Sequence, residues 1–431
     1  MRIAMITPGS GGQFYCENCR RDLDLVQALR RQGHDAVLLP MYLPVAEAGA
    51  DEGPPVFYGA LNVYLSQVVP GFRHLPPAWR DWLDASAVLG WVSRRAGSVR
   101  AGGLGALTLS VLRGESGRQA GDLDRLVAWL RQECRPEVVH LSNALLLGLA
   151  GRIRAEVGVP VVCSLQDEDS WVEAMPGSWP ARLWDAMAVR AVDVDLFLPV
   201  SRSYGAALAP RLRLAPERLH AVWPGIDAGA CRPAAPPAAP RLGYYARLAE
   251  ALGLGVLAEA LVALRRRPAW RDLELHAAGG CTADDRAFLK ALRRRLERDG
   301  AASAVTIQER FVASEVASFM DGLSLLCVPV PGGEAFGMFT LEALARGVPA
   351  VLPAAGGFVE VAEATGGVEL YAPDDPGALI AALERVLADA ALRRRLAEAG
   401  RARVQSRFDL QNCTVPALLA AYTAAGARSS S

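Results

Sequence analysis

Lysine is almost absent from this sequence. The chain has 46 basic residues, and Lys290 is its only lysine. The 46 acidic residues balance the basic ones, so the formal net charge is zero. No overall charge therefore favours a nucleic acid or an acidic membrane surface as a partner. Because arginine is used throughout, a lysine replaced by arginine at any site carries little information.

Long hydrophobic runs are absent as well. No stretch reaches the ~18 apolar residues of a membrane span, and the opening "MRIAMITPGS" lacks the features of a signal peptide. The eight cysteines are scattered, with one close pair, Cys16 and Cys19. We therefore expect a reduced, cytoplasmic compartment. For the pair, a packing role and a redox-sensitive role at a helix start both stay open, and zinc is disfavoured because no second ligand pair matches it.

A chain of 431 residues is too long for one ordinary core, which predicts two domains. Short apolar segments alternate with loops and amphipathic helices along most of it. Those in the first half are "RIAMIT", "DAVLLPMY", "EVVHLS", "VPVVCSLQ", "VDLFLPVS" and "LHAVWP", and those in the second are "RLGYYARL", "LELHAAGG", "AVTIQER", "LSLLCVPV", "VPAVLP" and "VELYAP". Continuous apolar runs are typical of strands covered on both faces, so they predict parallel α/β sheets.

The composition places the domain boundaries. We expect a first Rossmann-like domain over residues 1–225, a Pro/Ala-rich hinge over 226–240, a second Rossmann-like domain over 241–408, and a C-terminal helix and tail over 409–431 that crosses back to the first domain. Residues 57–117 form an irregular helical insertion with three tryptophans, for which helix packing and an exposed acceptor or membrane surface are both open. Ligands of doubly wound sheets bind at the carboxyl ends of strands, which predicts a cleft between the domains.

The stretch "GGEAFGMFTLEALARG" carries two glutamates eight positions apart, Glu334 and Glu342. The flanking apolar runs predict a strand, a loop with Glu334, and a helix that begins near Gly337 or Met338. The free N–H groups of that helix would then lie between two carboxylates. A nucleotide sugar, with its diphosphate between a sugar and a ribose, fits this layout. The competing interpretation is an ordinary loop glutamate and an ordinary surface glutamate.

This stretch resembles the E-x7-E signature of the family 4 glycosyltransferases, which are retaining enzymes of the GT-B fold. The resemblance extends over nearly the whole chain through "MRIAMITPGSGGQFYCENCRRD", "EGPPVFYGALNVYL", "VVHLSNALLLGLA", "CSLQDED" and "GYYARL". It implies transfer of a sugar from a nucleoside diphosphate to an unknown acceptor, without a metal or other cofactor.

The resemblance also implies roles for single residues. Glu334 would hold donor-sugar hydroxyls and Glu342 the ribose, with Arg247 on the diphosphate; Glu334 and Arg247 would be the catalytic pair. The backbone of Ala335, Phe336, Gly337 and Met338 would line the sugar and the diphosphate. In the first domain, Gly11 and Gly12 would let the backbone approach the phosphates.

The sequence departs from the family pattern at Leu252, where a lysine directed at the diphosphate is usual. Gln166 stands where many relatives have a histidine, although the bacterial subgroup that this chain resembles also uses glutamine there. Gln166, Glu168, Asp169 and His140 are possible acceptor or sugar contacts. For Glu168 and Asp169, a solvated acidic loop or a helix N-cap is an equally good interpretation. For His140, a satisfied core histidine is equally good.

The function predicted is therefore a retaining, metal-independent glycosyltransferase. Leu252 favours a catalytically silent protein that binds a nucleotide sugar, and a sugar-releasing hydrolase or phosphorylase on the same fold is a further alternative. The expected partners are a nucleotide sugar and an acceptor that is a small molecule, a lipid or a glycan. We expect no nucleic acid and no transmembrane segment; peripheral membrane contact and the oligomeric state stay open.

Overall fold

The structure, a computed structural model, describes residues 1–8, 17–41, 101–233, 237, 239–310 and 315–429. The described residues form two compact units. The first unit extends to Trp223, without Glu17, and includes the C-terminal helix from Val415. The second unit contains Pro224–Thr414 together with Glu17. Gly11, Gly12, Cys16 and residues 42–100, with most of the expected insertion, lie outside the described part of the chain.

A five-stranded parallel sheet with the strand order β2-β1-β3-β4-β5 forms the centre of the first unit. Its strands are β1 Arg2–Thr7, β2 Asp35–Pro40, β3 Val138–Leu141, β4 Val161–Leu165 and β5 Leu196–Pro199. Its helices are α1 Glu17–Arg31, α2 Ala101–Leu112, α3 Ala120–Trp129, α4 Ala150–Val157, α5 Glu168–Glu173, α6 Trp179–Arg190 and α7 Arg202–Leu212. Every residue of β3, β4 and β5 is buried, which confirms that continuous apolar runs mark strands covered on both faces.

One predicted strand, "LHAVWP" at residues 219–224, is wrong. The segment runs beside β5, but Leu219 forms only an isolated parallel bridge with Phe197. Two backbone hydrogen bonds follow, from the His220 N–H to the Phe197 carbonyl at 2.9 Å and from the Val222 N–H to the Pro199 carbonyl at 3.0 Å. Pro199 has no N–H of its own to donate, so the ladder cannot continue past the end of β5.

The second unit contains a six-stranded parallel sheet with the order β11-β10-β9-β6-β7-β8. Its strands are β6 Arg241–Tyr245, β7 Glu274–Ala278, β8 Val305–Gln308, β9 Leu325–Cys327, β10 Ala350–Pro353 and β11 Val368–Tyr371. Its helices are α8 Leu254–Arg265, α9 Arg286–Arg298, α10 Val316–Asp321, α11 Met338–Ala345, α12 Gly357–Thr365, α13 Pro376–Ala388 and α14 Ala390–Arg407. The six apolar runs of this half are all strands, which confirms the predicted parallel α/β sheet.

Helices α13 and α14 follow one another with a single residue between them. They are separated at Asp389, whose carboxylate accepts hydrogen bonds of 2.9 Å from the N–H groups of Ala391 and Leu392. An aspartate that satisfies the first free N–H groups starts a new helix rather than continuing the old one.

The C-terminal helix, α15 Val415–Ser429, belongs to the first unit, as expected. It packs against β4 and β5, and its apolar face, with Leu418 and Tyr422, is buried. None of the helices in the described ranges has the length and hydropathy needed to cross a membrane.

Candidate functional site

The loop between β9 and α11 holds the first of the two glutamates, Glu334. It turns through three glycines with positive φ, Gly332 at +76°, Gly333 at +79° and Gly337 at +87°. A Cβ atom on Gly337 would also lie 2.5 Å from Cε1 of Phe358, closer than side chains approach one another. The sequence therefore needs glycine at Gly337 for both its backbone angle and its space.

Gly356 and Gly357, at the start of α12, pack against the backbone of this loop. The Gly357 N–H donates to the Glu334 carbonyl at 2.7 Å. A Cβ on Gly357 would lie 2.4 Å from the Ala335 carbonyl oxygen, and one on Gly356 2.6 Å from the Glu334 carbonyl oxygen. Sequence analysis missed these two residues, although the glycine pair directly after a strand, in "LPAAGGF", was the signal for a close backbone approach.

Helix α11 presents its N-terminus beside the loop, and it is buried along its whole length. The Met338 N–H, in the first turn, donates to the Glu17 carboxylate at 2.9 Å. A carboxylate thus already uses a free N–H of this helix, as the positive end of the helix dipole predicts for an anion. Glu342 lies in the second turn, on the same buried helix, and is 8% exposed.

Arg247 lies two residues past the end of β6. Its Nε atom is 3.8 Å from Oδ2 of Asp285, and among the described residues this Nε atom has no hydrogen-bond partner. Asp285 is itself fixed by Thr282, whose N–H and hydroxyl donate to Oδ2 at 2.8 and 2.7 Å. The side chain of Arg247 stays 39% exposed, so its guanidinium is held on one side and accessible on the other.

Tyr244 contacts the backbone of both Arg247 and Leu252, the residue that departs from the family pattern. Its hydroxyl lies 3.0 Å from the Arg247 carbonyl oxygen and 3.2 Å from the Leu252 carbonyl oxygen. Burial raises the pKa of Tyr244 well above its ordinary value, the Glu334 carboxylate raises it further, and Arg247 lowers it. The charges of Glu334 and Arg247 therefore both act on this buried hydroxyl.

Sheet topology explains why these residues are close together. β6, β9 and β10 are neighbours in the sheet and run parallel. Arg247 follows β6, the Glu334 loop follows β9 and the glycine pair follows β10, so all of them come to one edge, at the carboxyl ends of the strands. This edge therefore combines a cation, a helix N-terminus and two carboxylates.

In the first unit, Gln166 belongs to a buried network at the end of β4. Arg21 of α1 donates from Nη1 to Oε1 of Gln166 at 2.5 Å and from Nη2 to the Ser164 hydroxyl at 2.6 Å. Nε2 of Gln166 donates to the Ser142 carbonyl at 2.6 Å. Both ends of the amide are thus fixed, and Gln166 is 2% exposed. Sequence analysis missed Arg21, because the sequence does not distinguish it from the other arginines of α1.

His140 continues this network towards the C-terminal helix. Its Nε2 is 2.7 Å from the Ser164 hydroxyl, and its Nδ1 is 2.8 Å from the Tyr422 hydroxyl. Each ring nitrogen of His140 therefore has a hydroxyl as its hydrogen-bond partner. Burial, and then the charge of Arg21, lowers the pKa of His140 well below its ordinary value. His140 is therefore neutral and fully enclosed.

Glu168 begins α5 and joins two loops of the first unit. Its carboxylate accepts from the N–H groups of Ala144 at 2.9 Å and Gln166 at 2.8 Å, and from the Tyr204 hydroxyl at 3.0 Å. Burial raises the pKa of Glu168 to about 7, against the lowering effect of these donors. The neighbouring Asp169 is only partly buried and lies 2.7 Å from the same Tyr204 hydroxyl.

No group of three or more His, Cys, Asp and Glu side chains in the described ranges has an arrangement that could hold a metal ion. Cys19, in the first turn of α1, is half-buried.

Comparison with known proteins assigns the family. The family model described as "Glycosyl transferases group 1" matches residues 239–389, and "Glycosyltransferase Family 4" matches residues 105–229. A D-inositol 3-phosphate glycosyltransferase of Salinispora arenicola is 30% identical over 329 residues, which cover 70% of this chain and 69% of that protein. The chain belongs to glycosyltransferase family 4.

A second relative is a glycogen synthase of Mycobacterium tuberculosis, 29% identical over 299 residues, with 64% of this chain and 66% of that protein covered. The match thus spans slightly less than two thirds of the glycogen synthase.

Solved structures agree on the GT-B fold. Sucrose-phosphate synthase from Thermosynechococcus elongatus has a TM-score of 0.68 at 17% identity, with 100% of this chain and 99% of that chain covered. Anabaena Alr3699/HepE in complex with UDP and glucose has a TM-score of 0.69 at 15% identity, with coverages of 98% and 99%. At these identities the likeness concerns the fold.

Proposed function

We propose that the chain is a retaining glycosyltransferase whose donor, a nucleoside diphosphate sugar, binds at the carboxyl edge of β6, β9 and β10. The observation that carries the proposal is the convergence there of the Arg247 guanidinium, the N-terminus of α11 and the carboxylates of Glu334 and Glu342. A diphosphate needs fixed positive groups, and the two sugars on either side of it need hydroxyl acceptors.

The chemistry follows from these positions. Arg247 and the N–H groups at the start of α11 stabilise the negative charge that develops on the departing diphosphate. Glu334 accepts hydrogen bonds from hydroxyls of the donor sugar, and Glu342 accepts from those of the ribose. The acceptor attacks from the face that the diphosphate leaves, and its proton passes to the departing phosphate oxygen. The chain needs no side-chain nucleophile and no metal for this route.

Glycine backbone lines the path between the two carboxylates. The backbone of Ala335 and Phe336 packs closely against Gly357, and the donor sugar approaches this backbone. The Met338 N–H, which Glu17 occupies in the structure, is released to the diphosphate when the donor binds.

Leu252 leaves the diphosphate with one counter-charge fewer than is usual in the family. Asp285 further offsets part of the charge of Arg247. We expect Leu252→Lys to strengthen donor binding, because an added ammonium near the diphosphate gains electrostatic energy. A large gain in turnover with it would instead indicate a degenerate wild-type site.

The acceptor side of the proposal rests on the first unit. His140, Gln166 and Glu168 are enclosed by their own hydrogen bonds, so they would shape the end of β4 rather than reach far from it. Asp169 is the more exposed of the candidates and the better placed to bind an acceptor hydroxyl. Gly11 and Gly12 lie outside the described residues, and their contact with the phosphates stays a proposal.

The test is to follow a UDP-sugar by proton NMR, with and without candidate polyol and glycan acceptors. UDP and glucose are the ligands of the Anabaena neighbour, so UDP-glucose is the first donor to try. We expect transfer with retention at the anomeric carbon, and loss of turnover in Glu334→Gln but not in Glu363→Gln, an exposed control on α12. An inverted product would contradict the retaining mechanism, and sugar release that needs only water or phosphate would indicate a hydrolase or a phosphorylase.

A further inference from the structure

A cavity of about 430 Å³ opens at the amino-terminal edge of the second sheet. One wall comes from residues that lead into β9 and β10, among them Ser324 and Val348, and the other from one face of α14. The proposed donor site lies past the carboxyl ends of the same two strands. The cavity is therefore separate from that site.

The face of α14 that lines the cavity follows a helical spacing. Ala390, Arg394, Ala397 and Arg401 all line it, and intervals of three, four and seven residues place them on one side of the helix. The alanines leave a groove because their side chains are short. The two arginines lie two turns apart, roughly 10 Å along the axis, so they flank the groove.

Arg401 has an unsatisfied polar atom at this wall. Its Nε atom is buried and has no hydrogen-bond partner among the described residues. A buried donor on a charged group normally has a partner, because leaving it unpaired loses the bond it would make to water. Arg401 thus keeps hydrogen-bonding capacity that the described protein does not use, and it is one of the residues that line the cavity.

Neighbouring charges leave the cavity basic. Arg393 also lines it, but its Nη1 donates to the carbonyls of Val386 and Leu387 at 3.2 and 2.7 Å and so caps the end of α13. Among the described residues of the lining, Glu398 is the one that is acidic. Against it stand Arg394 and Arg401, so the lining carries a net positive charge.

We propose that this cavity is a binding site for a small molecule with a phosphate group. Guanidinium groups match phosphate oxygens in geometry and charge, and Arg394 and Arg401 supply two of them. The volume exceeds that of a single phosphate, and Glu398 accepts hydrogen bonds from hydroxyls on the rest of the ligand. The ligand class is therefore a phosphate monoester of a hydroxylated small molecule.

The proposal is independent of the donor site, and the experiment keeps the two apart. Inorganic phosphate and glycerol 3-phosphate are titrated into the full chain, with binding followed by ³¹P NMR line width and by calorimetry. The variants are Arg401→Met, Arg394→Met, the donor-site variant Arg247→Met, and Arg403→Met, which removes an exposed charge from the same helix.

We expect glycerol 3-phosphate to bind more tightly than phosphate. Arg401→Met and Arg394→Met should each weaken binding about tenfold, as the loss of a charge-assisted hydrogen bond predicts, while Arg247→Met and Arg403→Met bind as the wild type does. UDP binding, measured in parallel, should not change in Arg401→Met. The proposal is overturned if the wild type binds neither compound, if Arg403→Met weakens binding equally, or if only Arg247→Met does.

Discussion

Glu168 gives the chain a pH-dependent stability that one substitution should remove. Its pKa is raised to about 7 in the folded chain, because burial disfavours the charged carboxylate. In the unfolded chain it titrates near the ordinary value of 4.5. The folded state therefore holds a proton that the unfolded state has already lost, so stability falls as the pH rises from 4.5 through 7.

The magnitude follows from the two pKa values. A pKa difference of one unit corresponds to about 1.4 kcal/mol. Between pH 5 and pH 8, ionisation of Glu168 should therefore lower the free energy of unfolding by about 2–3 kcal/mol. Glu168→Gln cannot ionise and should lose this dependence. Its stability at any one pH also reflects altered bonds to Ala144, Gln166 and Tyr204, so only the change with pH is diagnostic.

The assay is urea unfolding at pH 5 and pH 8, with the variant and the wild type compared at each pH so that the other titrating groups cancel. Relative to the wild type, Glu168→Gln should gain about 2–3 kcal/mol between the two pH values. Glu363→Gln, at an exposed position, should gain nothing. Parallel pH profiles for Glu168→Gln and the wild type would refute the reasoning.

Two further predictions concern the space around Gly337 and the hydrogen bond of Tyr422. Gly337→Ala would combine a φ of +87° with a contact of 2.5 Å to Phe358, so it should abolish donor binding. The control Gly300→Ala has a φ of +68° and open space around it, so it should lower the free energy of unfolding by only about 1–2 kcal/mol. Calorimetry measures the binding and thermal unfolding the stability of both variants, and equal effects would contradict the steric argument. Tyr422→Phe leaves Nδ1 of His140 without its hydrogen-bond partner and should destabilise the first unit by about 1–3 kcal/mol, with no change in nucleotide binding. A loss of nucleotide binding would show that the network has another role.

Much of the fold was predictable because buried parallel strands leave continuous apolar runs, as in "LSLLCVPV" and "VPAVLP". The loop between β9 and α11 was predictable for a different reason, since its glycines and Glu334 lie close together in the sequence. The failed strand at residues 219–224 shows the limit: the pattern gives apolarity but not whether the neighbouring strand can supply hydrogen bonds, and Pro199 cannot.

Contacts between distant residues were the part that the sequence could not predict. Arg21 and Gln166 are separated by 145 positions, and nothing in the α1 pattern distinguishes Arg21 from Arg20. The close approach of Gly357 to Glu334 likewise depends on two loops that only the strand order brings together. The unpaired Nε of Arg401 is visible only once the packing around α14 is known.

The central claim is that Arg247, α11 and the two glutamates form a donor site. Its most direct test is calorimetric titration of the chain with UDP, GDP, ADP and dTDP, repeated on Arg247→Ala, Glu342→Ala and the exposed control Glu363→Ala. The account predicts that one nucleoside diphosphate binds, that the first two variants weaken it at least about tenfold, and that the control binds as the wild type does. Folded wild-type protein that binds none of the four, or binding that survives both substitutions, would contradict it.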